Sequence, residues 1–77
     1  MSARPVKHSV TLKGHRTSIS LEDEFWIEFR AMAAQKGMPI NALVAEIDAD
    51  RGLDTGLASA IRLYVLKALK KRLPKVN

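Results

Sequence analysis

The stretch His15-Arg16-Thr17-Ser18-Ile19-Ser20-Leu21 decides how this chain folds. Thr17, Ile19 and Leu21 alternate with Arg16, Ser18 and Ser20, the period of two that marks a half-buried β-strand. An acidic helix start, Glu22-Asp23-Glu24, follows at once. Most of the remaining chain reads as helix, so this strand has almost nothing of its own to pair with. A lone strand leaves a row of backbone donors and acceptors open to another chain. The stretch therefore reads as half of an antiparallel β-ribbon shared by two copies, with Thr17, Ile19 and Leu21 turned to a common core. Residues 8–12, His-Ser-Val-Thr-Leu, are also β-prone, and Lys13-Gly14 could turn the chain into the 15–21 strand. A short hairpin is the alternative.

Downstream the period changes to that of helices. Phe25, Phe29 and Met32, widened by Trp26 and Ala33, form one apolar stripe and predict a helix over about 22–36. Ser20 and Asp23 stand at capping-box spacing, and Gly37 suits the residue just past the helix. Ile40, Leu43, Val44 and Ile47 predict a second helix from 39 or 40 to 51, with Pro39 in its first turn. Glu46 and Asp50 lie near its C-terminal end, where the helix dipole disfavours acids. Thr55 is the expected N-cap of a third helix over 56–73, on which Leu57, Ile61, Tyr64, Val65, Ala68, Leu69 and Leu73 keep helical spacing. Pro74 closes it. The expected organisation is a flexible basic arm (1–7), a single domain (8–73) and a tail (74–77).

At 77 residues without cysteine, the chain has no disulfides. A core of this size gives only about 3–5 kcal/mol, which leaves oligomerisation as the remaining aid. No apolar run approaches the roughly 18 residues of a membrane span, and the polar, basic N-terminus lacks the pattern of a secretory signal. The expected location is cytoplasmic, with no membrane partner. The net charge is +5. Residues 1–16 carry Arg4, Lys7, Lys13 and Arg16 and no acid, residues 17–56 hold every acid, and residues 57–77 are again purely basic. This asymmetry points to an anionic partner, nucleic acid before a membrane surface. The basic cluster Lys67, Lys70, Lys71, Arg72 reads equally well as the solvated face of the third helix.

Enzymatic chemistry finds no support. There is no glycine-rich phosphate loop, no cysteine nucleophile and no serine–histidine–acid set. His8 and His15 lack evident third and fourth metal ligands. No cofactor and no metal are expected.

The segment Arg16–Asp50 resembles the ribbon-helix-helix DNA-binding domain. The matching residues are Arg-Thr-Ser-Ile-Ser-Leu-Glu (16–22), Gly37, and Asn-Ala-Leu-Val (41–44) opening the second helix. The wider runs 14–21 and 41–48 look like short stand-alone bacterial members, a likeness extending over about residues 8–69. The resemblance implies a mostly α fold with a short N-terminal β-strand, an intertwined homodimer joined by an intermolecular antiparallel β-ribbon, and here a C-terminal third helix. It implies a transcriptional regulator, typically a repressor, whose ribbon enters the major groove, which is about 12 Å wide. Carried over by position, Arg16, Ser18 and Ser20 would contact bases, and the start of the second helix, Ile40 and Asn41, would hold a phosphate through backbone amides. Many members have Ser or Thr before that helix where this chain has Pro39, which brings neither hydroxyl nor N–H. Arg4, Lys7, Lys13 and His15 would add phosphate contacts. The partners expected are double-stranded DNA and a second copy, with higher-order assembly on DNA open. The alternative is an antitoxin-like DNA-binding protein whose helix 57–73 grips a protein partner.

Overall fold

A computed structural model describes residues 4–73. The elements run β1 (Val6–Leu12), β2 (His15–Leu21), α1 (Asp23–Gln35), α2 (Ile40–Asp50) and α3 (Leu57–Arg72). The strands form a two-stranded antiparallel sheet. The expectation that 15–21 has almost no partner in its own chain is thus overturned, and the hairpin alternative holds, with β1 beginning at Val6 rather than His8. Val6 and Lys7 consequently belong to the strand and not to the arm, while residues 1–3 and the tail 74–77 with Pro74 lie outside the described residues.

Local chemistry explains the hairpin. The connection is two residues long, and both Lys13 (φ 53) and Gly14 (φ 78) have positive φ, as a type I′ turn requires. Gly14 takes this conformation without a Cβ penalty. The register pairs Val6 with Leu21, His8 with Ile19, Val10 with Thr17 and Leu12 with His15 on one face, and Lys7 with Ser20, Ser9 with Ser18 and Thr11 with Arg16 on the other. Of the inward residues, Val10, Ile19 and Leu21 are buried. Thr17, expected in the core, is exposed, because it lies nearer the turn than the stretch of β2, Ile19 and Leu21, that is buried.

The helices lie beneath this face, α2 against β1 and α3 against β2, and all three pack on one another. Phe29, Leu43, Ile61, Val44 and Val65 join Leu21 as the fully buried side chains. Phe25, Trp26, Ile40, Leu57, Tyr64, Ala68 and Leu69 are half-buried around them, whereas Leu73 is exposed. The end of α1 follows the glycine rule. Gly37 sits at φ 67, its N–H donates to the Ala34 carbonyl and that of Met38 to Ala33, a Schellman closure.

Two of the three helix starts differ from expectation, and α2 begins at 40 as expected. Ser20 is committed to β2, so no capping box forms, and Glu22 precedes α1 without a side-chain cap bond. Gly56, not Thr55, precedes α3. Pro39 stands just outside α2, and its carbonyl accepts from the Ala42 and Leu43 amides. Among the described residues, no helix is long and apolar enough to cross a membrane.

Phe29 is wholly enclosed at the junction of the helices and sheet. Phe29→Ala should cost about 3–5 kcal/mol, comparable to the whole stability of a domain this small. Urea unfolding followed by circular dichroism should show the variant largely unfolded in buffer.

Candidate nucleic-acid interface

The outward face of the hairpin carries Lys7, Ser9 and Thr11 on β1 and Arg16, Ser18 and Ser20 on β2. It combines cations with hydroxyl groups, and residues 4–21 contain no acid. All of these residues are exposed except Ser20, which is half-buried. The expected base-contacting set, Arg16, Ser18 and Ser20, therefore lies together on one face. Lys7, Ser9 and Thr11 double that face. Ser9 and Thr11 are missed by reading 15–21 alone, although polar residues at 7, 9 and 11 alternate with Val6, Val10 and Leu12.

The other expected phosphate contacts are more scattered. Arg4 is exposed ahead of β1. Lys13, at the turn, lies 3.6 Å from Asp48 of α2 with its side chain still 77% exposed. His15 is exposed, but alternation puts it on the face opposite Arg16. The start of α2 reaches the sheet in a way the sequence did not reveal: the Asn41 side-chain carbonyl accepts a hydrogen bond from the Thr11 N–H at 2.9 Å. Asn41 thereby ties the N-terminus of α2 to the edge of β1. Ala42 and Leu43 donate to Pro39, so the Ile40 and Asn41 amides are the ones the helix itself does not use.

Each edge of the hairpin is engaged at one end by a helix. A two-residue loop places the ladder bonds at the inward pairs, so the backbone groups of Lys7, Ser9 and Thr11 point out along β1, and those of Arg16, Ser18 and Ser20 along β2. Thr11 is covered by Asn41. On β2 the Ser20 carbonyl accepts from Arg62 Nη2 at 3.2 Å. Among the described residues, the outward backbone groups of Lys7 and Ser9 on β1, and of Arg16 and Ser18 on β2, make no hydrogen bond.

Arg62, which sequence reading gave no role, fastens this end of the sheet to α3. Its Nε donates to Glu22 Oε1 at 2.9 Å, and its guanidinium lies 5.9 Å from the centre of the Phe25 ring. The hydrogen bond from Arg62, aided by a backbone hydrogen bond at Glu22 itself, holds the Glu22 carboxyl below its usual range. Asp48 is lowered likewise, first by its hydrogen bond from Arg51 at 2.8 Å. Glu46, an unexplained acid in sequence, meets Lys36 at 3.7 Å.

His8 and His15 do not meet. His8 stacks on Trp26 at 4.0 Å between ring centres and 9° between planes, and among the described residues no group of three or more His, Cys, Asp or Glu is placed to hold a metal. A groove of about 240 Å³ between the end of α2 and α3, lined by Arg51, Leu63 and Tyr64 among others, shares no residue with the hairpin. On α3, Arg72 is tied to Gln35 Oε1 at 2.5 Å, while Leu63 and Leu66 are about half exposed.

Comparison with known families settles what this architecture is. A family model described as a ribbon-helix-helix domain matches residues 5–69. The chain belongs to the ribbon-helix-helix family. Such domains generally bind DNA and form dimers. The match begins just before β1 and ends within α3, so the hairpin and third helix are part of this ribbon-helix-helix domain rather than additions to it. No curated protein and no solved structure matches the chain significantly.

A carboxyl lowered in the folded state stabilises it above the ordinary value, 4.5 for glutamate, and that contribution is lost as pH falls through the lowered value. Thermal melts of wild type and Glu22→Gln should therefore differ most above pH 4.5 and converge as the pH falls below it. A constant difference across that range would mean that Glu22 is not held by Arg62.

Proposed function

We propose that this ribbon-helix-helix protein is a homodimeric, sequence-specific DNA-binding transcriptional regulator that presents the outward hairpin face to the major groove. The observation that carries this reading is the segregation along β2. Ile19 and Leu21 are buried, while Arg16, Ser18 and Ser20 share the opposite, acid-free face. Arginine can bond guanine O6 and N7 together, and serine serves as donor or acceptor. The free edge of β2 at Arg16 and Ser18 supports pairing with the same strand of a second copy, which would also cover Thr17. Arg4 and Lys13, flanking the face, add phosphate attraction, as do the free amides at the start of α2.

The antitoxin-like alternative has one observation in its favour, the exposure of Leu63 and Leu66 on α3. It keeps the same DNA-binding face and adds a protein partner, whose co-purification would be lost in Leu63→Ser/Leu66→Ser.

Arg16→Ala should weaken binding to a preferred duplex by about 1–3 kcal/mol and relax sequence preference. If the wild-type dimer neutralises about six phosphates, log affinity against log salt should fall with a slope near −5. Fluorescence anisotropy at several salt concentrations measures both. A salt-independent affinity, or an Arg16→Ala variant that binds as wild type does, would contradict the reading.

A further inference from the structure

We infer that β1 is a second DNA-contacting strand, with Lys7, Ser9 and Thr11 lying over the phosphate backbone on either side of the groove that β2 enters. The inference rests on the DNA-binding reading above and specifies the shape of the contacting surface.

Each edge is engaged at one end, that of β1 at Thr11 by Asn41 and that of β2 at Ser20 by Arg62, and the β2 edge stays open at Arg16 and Ser18. With the β2-to-β2 pairing proposed above, the product is a four-stranded sheet in the order β1, β2, β2, β1. Neighbouring strands lie about 4.8 Å apart. The two inner strands thus fit a groove about 12 Å wide. The outer strands, with axes about 14 Å from one another, stand over its walls.

The chemistry of the faces matches those positions. β2 carries the bidentate donor Arg16 with two adaptable hydroxyls. β1 offers Lys7, a compact cation suited to phosphate, with the hydroxyls of Ser9 and Thr11 spaced along the same face. β1 is also fixed to the body of the protein. Val10 is 3% exposed, His8 stacks on Trp26, and Asn41 holds Thr11. A strand anchored at three points is built to stay in the sheet when β2 engages its ligand.

The test combines Lys7→Ala with hydrogen exchange of the bound protein. In anisotropy titrations Lys7→Ala should bind any duplex roughly tenfold more weakly and flatten the salt slope by about 1.8, because the variant dimer neutralises two fewer phosphates. Sequence preference should be unchanged. The His8 and Val10 amides should stay protected when DNA is bound. If wild type binds, Arg16→Ala weakens it and Lys7→Ala changes neither affinity nor slope, β1 is no part of the surface and the inference is overturned while the DNA reading stands. Loss of His8 and Val10 protection on binding would show β1 leaving the sheet and would overturn it too. If wild type ignores duplex DNA altogether, both readings fall.

Discussion

The alternation of side chains along β2 is the constraint on which everything else rests. A strand has two faces and no third option, so burying Ile19 and Leu21 forces Arg16, Ser18 and Ser20 to the other side. Slipping the pairing by one residue would reverse every side chain. Core formation and presentation of the polar face are therefore one event. The helices fix the strand inwardly, and what remains outside is a surface of hydroxyls and cations.

The hairpin is held in register at its turn and at both edges. Lys13 and Gly14 supply the positive φ values that close it. Asn41 anchors β1 from α2, and Arg62 anchors β2 from α3 through the Ser20 carbonyl while holding Glu22 at the start of α1. Both α2 and α3 thus have a polar attachment to the hairpin in addition to apolar packing. These bonds are individually modest, since most of the groups are partly solvated. Their value lies in orientation, because they set which stretch of β2 edge stays open.

Much of this was legible in the sequence, and the exceptions have physical causes. The helical stripes named the core well because period and hydrophobicity are local properties. Gly37 announced the end of α1 for the same reason. The hairpin was harder to see because His8 stands where alternation asks for an apolar residue, and only the stack on Trp26 explains it. The caps failed where a residue had a competing role, as Ser20 does in β2. The attachments through Asn41 and Arg62 join residues 30 and 42 positions apart, and no local pattern carries that information. The polar face of β2 was readable from alternation and family likeness together, while its extension onto β1 required the register.

The most direct test of the DNA-binding reading is an amide chemical-shift titration of the protein with duplex DNA. The largest changes should fall on Lys7, Ser9, Thr11, Arg16, Ser18 and Ser20, on the outward face of the sheet. Changes confined to the basic end of α3, at Lys67, Lys70 and Lys71, with the hairpin unmoved, would contradict it.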